Sequence, residues 1–235
     1  MPILLLGLWA VLLFGGFIFG KLDSERVHRT PTPARIGSSL ALVVLAWWFY
    51  ASQQAGALAT YSLLIAVGMT LGFIGDLFMA GLIRIENHVM GGIAAFGLGH
   101  VAYIAALIWA GDQLGYDAFA PRVGAWAAWL GVGVVGWYVV VYSRAPVRSP
   151  IHLAALPYAL LLASTAGFAT GLALQQAAFI PLALGAALFL ISDLILAAQL
   201  FAGLHFTSIG DMIWLTYGPA QMLIVTSVAA LMEII

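Results

Sequence analysis

Residues 58–82 read LATYSLLIAVGMTLGFIGDLFMAGL, and this stretch decides the fold. Asp76 is its single charged residue. The run is longer than the roughly 20 apolar residues that a helix needs to cross a bilayer. We therefore predict a transmembrane helix that carries a carboxylate inside the membrane.

A second stretch carries the same pattern further along the chain. Residues 185–197, GAALFLISDLILA, match residues 68–80, GMTLGFIGDLFMA, and this match places Asp193 over Asp76. The offset, 193 minus 76, is 117 residues, or half the chain. We predict two pseudo-repeats, 1–118 and 119–235, of four helices each. They would be parallel repeats, related by an axis along the membrane normal, with the two aspartates facing each other across it.

The composition excludes a soluble domain. Of the 235 residues, 64% are apolar and 7% are charged, whereas a soluble domain is about 45–50% apolar and about 25% charged. The same numbers exclude a disordered chain and a basic nucleic-acid binder. We expect one all-α integral membrane domain over 1–235, with the lipid bilayer as its surroundings.

Charged residues and turn residues divide the chain into eight predicted transmembrane helices, at 2–20, 36–53, 58–82, 89–110, 121–142, 152–174, 178–202 and 207–233. The basic residues of the connecting loops fall almost entirely on one side of the membrane: Lys21, Arg26, Arg29, Arg35, Arg84, Arg144 and Arg148. The other side has only Arg122. This bias predicts cytoplasmic basic loops and outside termini in a bacterial inner membrane. Seven helices remain an alternative, but with seven helices the basic residues would no longer fall almost entirely on one side of the membrane.

Polar side chains inside the spans are the candidate functional residues. A carboxylate in hydrocarbon costs at least about 2.5–3.5 kcal/mol, so Asp76 and Asp193 should face the bundle interior. Helical spacing of three or four residues puts further polar groups on shared faces. These are His100 with Tyr103 and Tyr217 with Gln221, and Tyr158 joins them from another helix. Together they predict a wet pocket that opens to the cytoplasm.

Each of these residues also has a purely structural interpretation. The aspartates could be hydrogen-bonded to neighbouring helices, His100 could tie two helices together, and the tyrosines could be packing residues. Asp211, near the start of the last helix, is typical of a charge favoured by the helix dipole. The glycine pairs Gly68/Gly72 and Gly167/Gly171 indicate close helix packing.

The chain resembles the YhhN-like membrane proteins, which include the animal lysoplasmalogenases. The resemblance is carried by "GFIGDLFMA" around Asp76, "GGIAAFGLGHVAYI" with His100 and Tyr103, and "GAALFLISDLILA" around Asp193. It continues through Pro157-Tyr158 and "YGPAQMLI" with Tyr217 and Gln221. The family tends to carry Lys-Pro after the first helix, where this chain has Arg29-Thr-Pro31-Thr-Pro33. A head-group role for that lysine would therefore pass to Arg29 or be absent.

The resemblance implies hydrolysis of the vinyl ether bond of a lysophospholipid, the lysoplasmalogen, to a fatty aldehyde and a glycerophospho-base. The reaction is acid-catalysed, so a pair of buried carboxyls, Asp76 and Asp193, is the expected machinery. His100, Tyr103, Tyr158, Tyr217 and Gln221 would orient the pair, the water or the glycerol. Arg29, Arg84, Arg144 or Arg148 could meet the phosphate.

Two other classes of function remain open. Intramembrane carboxylates within repeats are also typical of a transporter for a small solute or protons, and Gly218-Pro219 could interrupt the last helix. A non-catalytic lipid-binding protein or scaffold is the third interpretation. We expect no cofactor and no metal. The chain lacks cysteine, and no two histidines have the i,i+4 spacing that would place them on one helical face.

Overall fold

The part of the chain that the structure describes is a bundle of eight helices. The computed structural model describes residues 1–144 and 149–233, and within these ranges it contains helices and no strand. All eight helices are long and apolar enough to cross a membrane, which confirms the predicted all-α membrane bundle. They are α1 (Pro2–Phe19), α2 (Thr32–Gln53), α3 (Ala59–Met79), α4 (His88–Leu114), α5 (Phe119–Tyr142), α6 (Pro150–Ala173), α7 (Ala177–Phe201) and α8 (Ile209–Met232).

The predicted helix ends are correct to within a few residues, and the start of α2 changes the place of one charged side chain. Helix α2 begins at Thr32 rather than at residue 36, because Pro33 is tolerated in a first turn whose N–H groups are unpaired in any case. Arg35 therefore lies in the helix, one turn before Ser39. Helix α4 runs on to Leu114 and ends at Gly115, which has a φ of 74°.

The helices pack mainly as consecutive pairs: α3 with α4, α5 with α6, and α7 with α8. Contacts of α4 with α6 and of α2 with α8 join these pairs into one bundle. A repeat of two four-helix halves would pair α4 with α8 and α6 with α2. The α4–α6 contact would then correspond to the α8–α2 contact, as is found. The repeat itself and its symmetry axis stay predictions.

A buried carboxylate holds the loop between α1 and α2 against α8. Asp211 accepts hydrogen bonds from the backbone N–H groups of Arg29 (2.6 Å) and Thr30 (2.9 Å). It lies in the first turn of α8, as expected, but it is fully buried by the loop that it binds. The Val27 carbonyl also accepts from the backbone N–H of Gly210 (3.0 Å). The contact, and not the helix dipole alone, accounts for a carboxylate at this position.

Candidate active site

Asp76 lies where α2, α3 and α8 meet. Its side chain is buried, and one oxygen, Oδ2, accepts two hydrogen bonds. The donors are the Ser39 hydroxyl of α2 (2.5 Å) and the Tyr217 hydroxyl of α8 (3.0 Å). Within the described chain no hydrogen bond reaches the other oxygen, Oδ1. The carboxyl is therefore held firmly on one side and keeps an oxygen available for chemistry.

A chain of hydrogen bonds leads through the protein to Asp76. The Tyr103 hydroxyl donates to Gln221 Oε1 (2.9 Å), and Gln221 Nε2 donates to the Tyr217 hydroxyl (3.1 Å). Tyr217 in turn donates to Asp76. Since a carboxylate can only accept, every donor in the chain points towards Asp76. The structure thus brings together four of the residues that the sequence singled out.

Two glycines of α3 provide the space for this chain. A Cβ at Gly68 would lie 2.3 Å from the ring of Tyr103, and a Cβ at Gly72 would lie 2.7 Å from Gln221 Nε2. The close packing predicted for this glycine pair is therefore an approach of the Tyr103 and Gln221 side chains to the α3 backbone. By contrast, Gly167 and Gly171 lie against the backbone of α5 at Trp126 and Arg122.

Asp193 lies on α7 in a more open environment. It is partly buried, and the Tyr158 hydroxyl of α6 donates a short hydrogen bond to its Oδ2. The Ser192 hydroxyl is 3.2 Å from its Oδ1, but it also donates to the Phe189 carbonyl (2.8 Å). Each aspartate is therefore paired with one tyrosine and one serine, but the serine of Asp76 comes from another helix and that of Asp193 is its own chain neighbour.

Both aspartates line one polar cavity of about 630 Å³. The side chain of Tyr217 is in its wall, and groups from the basic-loop end of the bundle line its other end: Glu25, His28, Arg35, His88 and His205. These groups lie in or next to the loops that the charge bias predicts to be cytoplasmic. The cavity corresponds to the wet pocket expected from the sequence, although its orientation in a membrane stays a prediction.

A second, apolar slot of about 80 Å³ meets this cavity at Asp193. Asp193 and Tyr158 supply its carboxylate and hydroxyl groups, and much of its wall is aliphatic, from Ala155, Ala159, Leu162 and Ala197. The residues that line both spaces are Met79, Val89, Phe96, Asp193, Leu196 and Leu200. One carboxylate therefore lies at the border between a polar and an apolar compartment.

His100 is buried behind the site and does not line either space. Its Nδ1 is hydrogen-bonded to the Thr165 hydroxyl (2.9 Å), and its ring packs edge-on against Phe189 at a centroid distance of 4.5 Å. Nε2 has no partner within the described chain. The contact joins α4 to α6, as in the structural interpretation of this histidine.

The arginines are arranged differently from the head-group expectation. The Arg29 guanidinium lies near the Phe17 ring (5.4 Å) and the carbonyl of Ile18 (3.4 Å), and it is not part of the cavity wall. Arg35 lines the cavity. The sequence predicts only that this residue lies in a basic loop, with no role in the site. Arg148 lies outside the described residues.

Sequence reasoning missed three polar neighbours of the site: Ser39, Ser192 and Thr165. Their signal in the sequence is weak, because a hydroxyl in an apolar span usually bonds to its own helix, as the Ser62 and Thr70 hydroxyls do here. Over residues 1–144 and 149–233, no group of three or more His, Asp or Glu side chains is placed to hold a metal ion. The chemistry available to this arrangement is proton transfer between carboxyls, tyrosines and water.

Comparison with known proteins gives one match. The sequence profile of the YhhN family matches residues 34–228, which is most of the chain and includes both aspartates. Searches among curated proteins and among solved structures found no match.

Proposed function

The chain belongs to the YhhN family, and from that premise we propose that it is a membrane-embedded hydrolase that cleaves the vinyl ether bond of lysoplasmalogens. The observation that carries this proposal is the position of Asp193, at the border between the polar cavity and the apolar slot. A single-chain ether lipid has the same division. Its glycerophosphate end is polar, its chain is apolar, and the bond to be cleaved lies between them.

The two spaces suggest how the substrate binds. The glycerol and the head group would occupy the cavity of about 630 Å³, and the first few carbons of the alkenyl chain would enter the slot of about 80 Å³. The vinyl ether would then lie beside Asp193, with Asp76 on the cavity side.

The reaction needs an acid at the β-carbon of the C=C–O unit and a base beside the adjacent carbon. A carboxylic acid donates a proton to the β-carbon, and the positive charge develops on the adjacent carbon and the ether oxygen. Water then adds to that carbon and gives up a proton, which forms a hemiacetal. As the hemiacetal breaks into an aldehyde and the glycerol hydroxyl, the glycerol oxygen takes the proton that the water gave up, and the hemiacetal O–H proton returns to the first carboxyl. The remaining carboxylate stabilises the cation and takes a proton from the water.

The geometry favours Asp193 as the acid and Asp76 as the base. The β-carbon is the end of the vinyl group nearer the chain, and Asp193 is the carboxyl that lines the slot. Asp76 receives two hydroxyl hydrogen bonds on one oxygen, which support an anion and leave Oδ1 for the water. Tyr217 and Tyr158 position the two carboxyls, and the Gln221–Tyr103 pair holds Tyr217 in place.

The direct test is aldehyde release from a lysoplasmalogen by the purified protein in detergent. We expect Asp76→Asn and Asp193→Asn each to lose activity by about a thousandfold, within the range of general acid–base catalysis. Asp117→Asn is the matched control, because this carboxyl is exposed and lies at the opposite end of the bundle. Near-wild-type turnover in either site variant would exclude the aspartate-pair mechanism.

A second experiment tests the proton step. Hydrolysis in D₂O should place one deuterium on the carbon next to the aldehyde, because the acid protonates that carbon. Mass spectrometry of the product, trapped as it forms, reads this directly. An unlabelled aldehyde would rule out acid catalysis at the β-carbon.

The transporter alternative has less support from the fold. Helix α8 continues from Ile209 to Met232 through Gly218-Pro219 without a break, although broken helices are typical of transporter sites. Flux of a solute into vesicles, with no aldehyde formed in detergent, would favour the transporter.

A further inference from the structure

Arg35 is a charged side chain with no obvious function in the reaction proposed above. It lies in the first turns of α2 and lines the same cavity as Asp76 and Asp193. Within the described chain it forms no ion pair, since Arg122–Asp112 is the pair found there. The carboxylates of Asp211, Asp23 and Asp76 attract this charge from a longer distance, whereas a buried charge is normally paired directly.

The guanidinium is nevertheless held in a defined position. Its Nη1 donates to His28 Nε2 (2.7 Å), its Nη2 donates to the Thr32 hydroxyl (2.9 Å), and it lies 5.7 Å from the ring of Trp214. A guanidinium has five N–H groups. Two therefore have partners in the described chain, and Nε is among the atoms that have none.

His28 acts as a neutral support for this arginine. Burial, and secondly the Arg35 charge, lower the pKa of His28 to about 4. The imidazole is therefore neutral at pH 7 and accepts from Arg35 through Nε2. A neutral acceptor orients the guanidinium without cancelling its charge.

We propose that Arg35 binds the phosphate of a lysophospholipid head group above the aspartate pair. The inference rests on the proposed function for the identity of the lipid. It assigns the head-group site to a residue of α2, whereas Arg29 lies outside the cavity wall. Arginine is suited to this role because its planar fork can donate two parallel hydrogen bonds to one phosphate.

The spacing along α2 agrees with the size of the substrate. Ser39, which is hydrogen-bonded to Asp76, lies one turn after Arg35, or roughly 5–6 Å along the helix. Single bonds of about 1.5 Å place the phosphorus of a glycerophospholipid roughly 6 Å from the ether oxygen. A lipid whose ether oxygen lies near Asp76 therefore has its phosphate near Arg35.

The charges of the cavity favour a phosphodiester over free phosphate. Glu25, an exposed residue, lines the cavity with both aspartates, and Asp76 is hydrogen-bonded to Ser39, one turn after Arg35. Their repulsion of a bound anion grows with the charge of that anion. A head-group phosphodiester carries one negative charge, whereas inorganic phosphate at neutral pH carries closer to two.

The experiment compares two ligands that the enzyme cannot hydrolyse by this route. One is a saturated alkyl-ether lysophosphatidylethanolamine, and the other is the matching alkyl glycerol, which has no phosphate. Binding to the purified protein in detergent is measured for wild type, Arg35→Gln and Arg35→Lys. Arg26→Gln is the matched control, because it removes an equal charge from the neighbouring loop at a position outside the cavity wall.

We expect Arg35→Gln to weaken binding of the lysophospholipid at least tenfold and to leave binding of the alkyl glycerol unchanged. Arg35→Lys, which keeps the charge, should lose less, and Arg26→Gln should bind as wild type does. Equal losses for both ligands would show a structural role and overturn the proposal. If Arg35→Gln fails to fold, the same comparison is made with Arg35→Lys, whose equal loss for both ligands would also overturn it.

Two further outcomes separate the possible failures. Inorganic phosphate that competes at a similar concentration to the lysophospholipid would overturn the assignment to a lipid head group. Arg35-dependent lysolipid binding without cleavage of the vinyl ether would refute the proposed hydrolase and support the head-group site.

Discussion

Asp76 and Asp193 occupy matching positions in two similar stretches of sequence, yet their surroundings differ. Asp76 is 3% exposed and takes both of its hydrogen bonds on one oxygen, from helices that are distant in sequence. Asp193 is partly exposed, is bonded on both oxygens, and borders an apolar slot as well as the polar cavity.

A carboxylate that recurs in two similar stretches of sequence therefore has two different environments. Much of each environment comes from neighbouring helices. Asp76 is enclosed and accepts both of its bonds on one oxygen, whereas Asp193 is more open and borders the apolar slot. Such a difference in environment is how two carboxyls acquire acid and base roles.

The largest expected effect concerns the pair as a unit. Each single substitution to Asn should lower the rate of aldehyde release by about a thousandfold. The Asp76→Asn/Asp193→Asn double variant should lose no more than the worse single variant, because residues that act in one step are not additive. Losses that multiply would mean that the two carboxyls act in separate steps.

The serines give the next largest contrast. Ser39→Ala removes a 2.5 Å hydrogen bond that α2 donates to Asp76, whereas the Ser192 contact to Asp193 is 3.2 Å long. A hydrogen bond to a charged group contributes about 1.5–3 kcal/mol. We expect Ser39→Ala to lower kcat about tenfold or more and Ser192→Ala to lower it much less. Equal losses of kcat in the Ser39→Ala and Ser192→Ala variants would contradict the proposed difference between the two aspartates.

The slot beside Asp193 can be tested through the substrate chain. Ala197 lines the slot one turn after Asp193, so Ala197→Phe should block the first chain carbons. At about 0.8 kcal/mol per buried methylene, kcat/KM for a long-chain substrate should fall about tenfold, and a substrate cut back to the vinyl group, which has no carbons for the slot, should be unaffected. Ile191→Phe is the control on the same helix, because Ile191 is 45% exposed and outside the slot wall. An equal loss for the substrate cut back to the vinyl group would argue against chain binding here.

The smallest effect should come from the support behind Asp76. A methyl group at Gly72 displaces the Gln221 amide, which then loses its hydrogen bond to Tyr217. We expect Gly72→Ala to destabilise the protein by about 1–3 kcal/mol and to reduce turnover severalfold. Gly124→Ala is the control, since a Cβ there has no neighbour within 4 Å. Thermal unfolding in detergent would show the difference, and equal melting temperatures would contradict it.

Much of the fold could be predicted because the membrane limits the choices. Long apolar runs must be helices, so the eight spans follow from residue type alone, with errors only at their ends. Helix α2 starts earlier than predicted because Pro33, a residue type typical of loops, fits the first turn of a helix. For this reason the position of Arg35 in the cavity wall could not be predicted.

The family and the membrane-spanning helices follow from the sequence, and so does the prediction that Asp76 and Asp193 are functional, because a charge in an apolar span is costly. The hydrogen-bond partners of the two carboxylates follow only from the packing of the helices. Ser39, Tyr158 and Tyr217 reach the aspartates from other helices. The rotation of each helix about its own axis, and not its composition, sets which side chain faces inward. The joining of the polar cavity and the apolar slot at Asp193 is likewise a property of the packed bundle, since their walls come from several helices that no local pattern in the sequence relates to one another.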